Sequence, residues 1–473
     1  MENAEHTSAP FFARKWWVLL SVGIGTFMSA LDGSVVNANL PVITAYFDST
    51  VAVIEWVVVV YLLVVSGLLL SFGRLGDLRG HKRVYITGYV IFIFSSALCG
   101  LSPSPEALII FRGMQAIGAA MLFANSPAIL TGNFPPTQRG QALGMQATLT
   151  YLGLTVGPSL GGWLAHLFGW RAIFYINVPV GIFGLLACLR FIPDDRDHAI
   201  NETFDWKGAL VFTAGLVTLL FALNQGHAWG WASPRIILLV LSSLFLLAFF
   251  IWIEQHTPAP MLDLGLFRRS DFSSSVAAAL LNYVCLYSIA FLLPFYLIQG
   301  RQLSPAQAGL ILTAQPAVMM VVAPISGTLS DRIPARPLAT AGMLILAVGL
   351  WLLALLEAGS PIQQVALSLA VCGLGIGLFV SPNNNTLLGA APRARQGIAS
   401  GILAMARNMG MVLGVGLAGA IFTSVLARYP AYQAEQALFP AIHWGFVVAA
   451  GLAVFGAVIS LIRWGAASEK TRA

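Results

Sequence analysis

The chain has 473 residues, of which 58% are hydrophobic and 9% charged, against roughly 25% charged in a soluble domain. So few charges cannot cover a water-facing surface, which excludes a soluble globular protein. The 25 basic residues outnumber the 19 acidic ones, but they are scattered through apolar sequence and form no patch for nucleic acid.

A helix needs about 20 mostly apolar residues to cross the hydrocarbon core. Fourteen such runs occur, at 16–38, 51–72, 83–101, 105–131, 140–166, 172–192, 207–225, 235–253, 272–298, 305–330, 337–357, 363–388, 396–426 and 441–463. The expectation is an all-α integral membrane protein. The connection QGHAWGWASPR between spans 7 and 8 is rich in Gly and Trp, and a shallow interfacial segment is one reading of it. Lys and Arg are retained on the cytoplasmic side. With the N-terminus inside, 19 basic residues fall there, among them Arg14, Lys15, Arg74, Arg79, Lys82, Arg83, Arg268, Arg269, Arg332 and Arg336. Four fall outside (Arg171, Arg235, Arg301 and Arg428) and two, Arg112 and Arg407, lie within spans. The expected protein is therefore multi-pass in the cell (inner) membrane with both termini cytoplasmic. No cleavable signal peptide is expected ahead of span 1, because residues 1–13 are polar or mixed and the first apolar run is long enough to span.

Cys99, Cys188, Cys285 and Cys372 sit inside apolar spans without metal-ligand spacing, so they read as packing residues. No metal or cofactor is expected. No phosphate-cradling Gly-Lys-Ser/Thr loop is present, which argues against an ATP-driven pump. No nucleophile, base and orienting group share a recognisable arrangement, so enzyme activity is not expected.

The sequence repeats internally. Gly73, Leu75 and Asp77 after span 2 recur as Gly327, Leu329 and Asp331 after span 10, a shift of 254 residues. Gly140, Gly144, Gly153 and Gly157 in span 5 recur as Gly397, Gly401, Gly410 and Gly414 in span 13, a shift of 257. The implied organisation is an N-terminal tail at 1–15, a six-helix half at 16–192, a linker with two inserted helices at 193–253, a connection at 254–271, a second six-helix half at 272–463 and a tail at 464–473. Halves repeated in one orientation place a substrate cavity at their interface and favour rocking as the transport motion.

Ionisable groups inside spans cost several kcal/mol and mark ion or substrate paths. Asp32 lies about 24 Å along span 1 from the cytoplasmic side, and Arg112 about 9 Å inward from the outer side along span 4. In a core about 30 Å thick these depths nearly coincide, so an ion pair is geometrically feasible. Glu55, at the outer end of span 2, is a third candidate for proton coupling. Arg407 in span 13 is the single buried charge of the second half. It suits an anionic group, an electrostatic answer to Asp32, or carbonyls at a helix bend. In span 9, Tyr283, Tyr287 and Phe291 repeat every four residues along one face. With Asn282, Gln315, Asn383 and Asn384 they are candidates for a cavity wall that takes flat amphipathic compounds, although such stripes also face lipid or neighbouring helices. Asn383, Asn384 and Asn385 cover most of a turn, so at least one of them packs elsewhere. Gly73 and Gly80 permit tight backbone around Asp77, a carboxylate suited to the free N–H groups of a helix start. Gly153, Gly157 and Gly161 clear one face of span 5 for close approach, and Pro158 bends it.

These residues also carry a family resemblance. GRLGDLRGHKR from Gly73, RGMQAIGAA from Arg112 with Ala116 where Gly is usual, GLTVGPSLGG from Gly153 to Gly162, LDGSVVNANLP from Leu31 and FDWKGA from Phe204 resemble, in order, the motifs of the fourteen-helix drug:proton antiporters of the major facilitator superfamily. The resemblance implies the major facilitator fold with two inserted helices, and export of small amphipathic compounds against protons. It also implies gating by Gly73, Asp77, Gly80, Arg83 and Asp331, with Asp77 held against span 13. Protons, membrane lipids and a small amphipathic substrate are the expected partners. The chain is expected to be monomeric, and an accessory membrane-fusion partner is left open. A translocase of lipid, fatty acid or other anionic amphiphiles is the alternative, and a nutrient importer is a further one that the span 5 motif opposes.

Overall fold

The computed structural model describes residues 11–194, 202–230, 233–258, 260–262, 264–392, 395–426, 428 and 434–461, so most of both expected tails lies outside it. The described residues contain helices and connecting turns, with no strand. Fourteen long helices appear: α1 Phe11–Tyr46, α2 Trp56–Arg79, α3 His81–Leu101, α4 Pro105–Asn133, α5 Arg139–Phe168, α6 Asn177–Phe191, α7 Trp206–Trp229, α8 Pro234–His256, α9 Ser270–Pro294, α10 Ala314–Ser330, α11 Ala335–Ala354, α12 Ile362–Ala390, α13 Gln396–Leu426 and α14 Ala434–Leu461. Thirteen segments are long and apolar enough to cross a membrane. The exception is α5. It has 30 residues, but six are glycine and it carries Gln141, Gln146 and several threonines, because it packs against protein more than lipid.

Several helices begin on a Ser-Pro step. The hydroxyls of Ser104, Ser233 and Ser304 accept from the amides of Ala107, Ile236 and Gln307, and the following proline occupies the first turn. This meets the free N–H groups at a helix start while proline, having none, adds no further orphan. Four spans differ from the sequence expectation, one of them span 6, which breaks at Ile176 between a turn at Ala172–Tyr175 and α6. Span 2 is a turn at Val51–Ile54 followed by α2, with Glu55 at the break. Span 10 is a short helix, Pro305–Leu312, that breaks at Thr313 before α10. Span 7 runs on past residue 225. Helix α7 continues to Trp229, whose ring meets Phe221 at 5.7 Å, and the chain turns at Gly230 with φ 80°; Trp231 and Ala232 lie outside the described residues.

Two helices knit the halves together, and their glycines do so in two sets. Gly140 and Gly144 of α5 face Gly327, Ala323 and Pro324 of α10, while Gly397 and Gly401 of α13 face Gly73, Leu69 and Leu70 of α2. A Cβ on any of Gly73, Gly397, Gly140 or Gly327 would run into the carbonyl of its partner, so only glycine allows this approach. Farther along, Gly153, Gly157 and Gly161 of α5 pack on α1 at Phe27, Ser34 and Val35, and Gly410 and Gly414 of α13 pack on α9 at Leu280, Tyr283 and Val284. Each crossing helix thus holds the opposite half at one end and its own half at the other. The contact between halves gathers at the end of the bundle that carries Arg79, Lys82, Arg83 and Arg139, here called the basic face.

Prolines in these helices have their freed carbonyls met by neighbours. Pro158 cannot bond the Leu154 carbonyl one turn back, and the Ser34 hydroxyl of α1 donates to it at 2.9 Å. Pro324 likewise frees the Met320 carbonyl, which accepts from the Thr148 hydroxyl of α5 at 3.0 Å. The inserted helix α7 lies over the joint between α2 and α13. Its Thr213 hydroxyl donates to the Gly67 carbonyl at 2.9 Å, and Phe212 and Leu216 share a buried cluster with Leu63, Ile402 and Leu403.

This packing predicts that Gly397→Leu forces the halves apart at the basic face. With the four native cysteines replaced and one introduced at the buried Ser400, maleimide labelling should speed up by roughly tenfold, the equivalent of about 1.4 kcal/mol of opening. Gly162→Ala, where the added methyl meets open space, should leave the labelling rate unchanged.

Candidate functional site

Asp32 and Arg112, on α1 and α4, meet inside the N-terminal half. Arg112 Nη1 donates to Asp32 Oδ2 at 2.6 Å, and each residue is 1% exposed. The pair is built into a network. Gln115, one turn beyond Arg112, accepts from Arg112 Nη1 at 2.6 Å and donates to Asp32 Oδ1 at 3.0 Å and to the Ser96 hydroxyl of α3 at 2.5 Å. Asn177, first residue of α6, donates to Asp32 Oδ1 at 2.8 Å. Arg112 Nε donates to the Val57 carbonyl at 3.2 Å, and the guanidinium lies 4.3 Å from the centre of the Tyr61 ring. Three donors from two helices therefore converge on one carboxylate, which as an anion only accepts. Glu55 is not brought to this network; it is exposed at the break before α2.

Gln115, Asn177, Ser96 and Tyr61 were not singled out from the sequence. Gln115 had a usable signal, since it stands three residues from Arg112 on the same helical face. The others have none, because their contacts depend on how separate helices rotate against one another.

The gating residues form a second constellation at the basic face, and it is reciprocal. Asp77 Oδ1 and Oδ2 accept from the amides of Gly397 and Ile398 at 2.7 and 2.9 Å, at the start of α13. Asp331 Oδ1 and Oδ2 accept from Gly140 and Gln141 at 2.8 and 2.9 Å, at the start of α5. Each carboxylate meets two free N–H groups and the positive end of the helix dipole in the opposite half. Asp77 is 4% exposed, whereas Asp331 is half-buried, and Asp77 also has His81 Nε2 at 3.5 Å. Burial pushes the Asp331 carboxyl up from its ordinary value, against the pull of its two amide donors. Gly80 supplies the turn after α2 with φ 88° and bonds back to the Gly76 carbonyl at 2.8 Å. Arg83 is exposed. A further tie comes from the linker: Glu202 pairs with the fully buried Arg74 at the end of α2 and, at 3.3 Å, with Arg395 before α13. Sequence reasoning missed Glu202.

The expected cavity residues divide. Tyr283 and Tyr287 lie on the side of α9 that meets Gly410 and Gly414 of α13 and retain part of their surface. Arg407 is also partly exposed, with its guanidinium 4.6 Å from the centre of the Phe123 ring of α4. Asn282 does not share that side; it is fully buried against Met343 of α11 at 3.4 Å. Phe291 continues the stripe into a ring cluster with Phe295 and Phe422 at 5.2 and 6.4 Å. Gln315 is buried, with its backbone against Gly373 of α12. Asn383 is the packing member of its triplet, donating to the Ser275 carbonyl at 3.0 Å, while Asn384 is half-buried. In the α5 motif, Gly153, Gly157 and Gly161 face α1, and Gly162 and Pro158 are exposed on another side.

The model of the family described as Major Facilitator Superfamily matches residues 22–273 and 275–472. The chain belongs to the major facilitator superfamily. As a member it is a multi-pass membrane transporter, a carrier without enzymatic chemistry. It is 34% identical over 449 residues to the riboflavin transporter RibZ of Clostridioides difficile, covering 95% of this chain and 97% of that one. It is 32% identical to the multidrug resistance protein Stp of Mycobacterium tuberculosis, covering 89% and 78%, and 31% identical to the tetracenomycin C resistance and export protein of Streptomyces glaucescens, covering 87% and 76%. Among solved structures, the proton:xylose symporter XylE superposes with a TM-score of 0.66 over 94% of this chain and 95% of that one, at 14% identity. That likeness speaks to the fold alone.

The network around Asp32 makes a stability prediction for this superfamily member. Arg112→Ala leaves a buried carboxylate without its counter-ion and should destabilise the protein by about 3–5 kcal/mol. Asp32→Asn combined with Arg112→Gln removes both charges and should recover most of that loss. Thermal unfolding of the purified variants in detergent checks this; an Arg112→Ala protein as stable as the parent would mean that the pair is not structurally coupled.

Proposed function

We propose that the chain is a proton-coupled antiporter that exports small amphipathic compounds by rocking-type alternating access. The observation that carries this reading is the Asp32 carboxylate, buried inside a membrane-spanning helix and gripped by Arg112, Gln115 and Asn177. Protonating it turns one acceptor into a donor and removes the counter-charge of a buried guanidinium. The network must then rearrange, which gives the carrier two internal arrangements that a proton selects between. The basic face is assigned to the cytoplasm, as positive-inside retention requires. Asp77 and Asp331 then act as gate latches, closed here and released when the halves rock. Relatives named for multidrug resistance and for tetracenomycin C export support the direction of transport.

Purified protein in liposomes, with substrate flux and internal pH recorded together under an imposed proton gradient, tests the coupling. Asp32→Asn should insert and bind substrate but lose uphill flux, whereas undiminished coupled flux in that variant would remove Asp32 from the role and make Glu55 the next carboxylate to test. Flux in the same direction as the proton would instead favour nutrient import, in keeping with the relative named a riboflavin transporter.

The latches give a separate expectation. Asp77→Asn should keep the amount of protein near normal but slow turnover sharply, by roughly tenfold or more if one to two charge-assisted bonds of about 1.5 kcal/mol each are lost from the closed state. Asp331→Asn should do less, because its carboxylate is half-buried and has no histidine beside it. Equal loss at both positions would contradict this asymmetry.

A further inference from the structure

Arg407 lies inside a helix of a half whose acids, Asp271, Asp331 and Glu357 among them, stand at or beyond helix ends. In the structure it has no acidic partner among the described residues, and its Nε is buried without a hydrogen-bond acceptor. Asp32 does not answer it, because that carboxylate is already engaged by Arg112. A desolvated guanidinium N–H left unpaired is unfavourable and calls for an acceptor beyond the described side chains, water or a ligand.

The surroundings describe what would complete it. The guanidinium lies 4.6 Å from the centre of the Phe123 ring, and farther along α13 Gly410 and Gly414 pack against Tyr283 and Tyr287 of α9. The Tyr61 ring lies 4.3 Å from the Arg112 guanidinium, and its hydroxyl is buried without a hydrogen-bond partner. These residues come from both halves, and Arg407, Tyr283 and Tyr287 keep accessible surface where the halves meet. Flat rings, phenols and a positive charge with no acidic partner among the described residues are thus gathered where Arg407 of α13 meets Phe123 of α4.

We infer that these residues line a cleft between the halves that takes planar aromatic compounds bearing an acidic oxygen, a carboxylate or a phenolate, and excludes aromatic cations. The ring system lies among Phe123, Tyr283 and Tyr287, where its faces gain apolar and stacking contact. The acidic oxygen meets Arg407, whose planar fork suits a carboxylate better than a lysine point charge. An ammonium group in the same place would face a fixed positive charge with no acid to neutralise it. The inference rests on the export reading for the location of the cleft between the halves, and not on proton coupling.

Binding is measured without any gradient, on purified protein in lipid nanodiscs, using two fluorescent probes that share one ring system: 1-pyrenebutyrate and 1-pyrenemethylammonium. The carboxylate should bind roughly tenfold or more tightly than the ammonium, as expected for one charge-assisted contact of about 1.5–3 kcal/mol. Arg407→Ala should abolish that preference, and Arg407→Lys should keep part of it. Phe123→Leu, which keeps the charge and loses the stacking face, should weaken both probes together, and it serves where Arg407→Ala fails to fold. Tighter binding of the ammonium by the parent protein, or an unchanged carboxylate affinity in Arg407→Ala, would overturn the inference. The proton-gradient assay on Asp32→Asn then reads the coupling separately. Uphill export of the ammonium probe would leave proton-coupled export standing and the anionic class refuted, whereas carboxylate binding without any proton-driven flux would leave the site standing and refute the coupling.

Discussion

Two helix N-termini, those of α5 and α13, each present free amides at the seam between the halves, and each is capped by a carboxylate that belongs to the other half. This exchange constrains everything around it. For Asp77 to reach Gly397 and Ile398, the last turns of α2 must touch the first turns of α13 backbone to backbone, and the glycine pairs at both seams are what that distance demands. Because the amides come from helix ends, separating the halves exposes them to water, which can satisfy them again. A latch of this kind is firm when closed and inexpensive to undo, as a rocking carrier requires.

The pseudo-symmetry that organises the latch does not extend to the centre of the bundle. The N-terminal half encloses an acid and a base that neutralise each other within a dense polar network. The C-terminal half offers one guanidinium and a row of phenols at the cleft. The first arrangement suits a proton, which needs a group that changes charge out of contact with bulk water. The second suits a cargo, which needs unfilled contacts on an accessible surface.

Much of this was legible in the residues. Span counting found all fourteen helices because lipid imposes length and hydropathy together, and the repeats at shifts of 254 and 257 located the very glycines and aspartates that meet at the seams. Depth arithmetic alone brought Asp32 to the level of Arg112. The rest depended on rotation about helix axes, which hydropathy does not encode when every face is apolar. Asn282 and Tyr283 are neighbours in sequence but turn about 100° apart, so one packs on Met343 and the other on Gly410. Asn177 and Glu202 carried no sequence signal of their own, yet one holds the buried carboxylate and the other ties Arg74 to Arg395. The breaks at Glu55 and Thr313 are likewise invisible to a hydropathy scan, which averages over them.

The inserted helices give the molecule two unlike flanks. On one, α7 lies across the line where α2 meets α13, bonded to Gly67 and packed on Ile402 and Leu403. On the other, α5 meets α10 with no helix laid over the joint, and Val321, Ile325 and Leu329 of α10 are exposed. A twelve-helix carrier built on the same symmetry would present both joints to the bilayer alike. Among the described residues the α5/α10 joint is the one that α7 leaves uncovered, so the two joints between the halves meet their surroundings unequally.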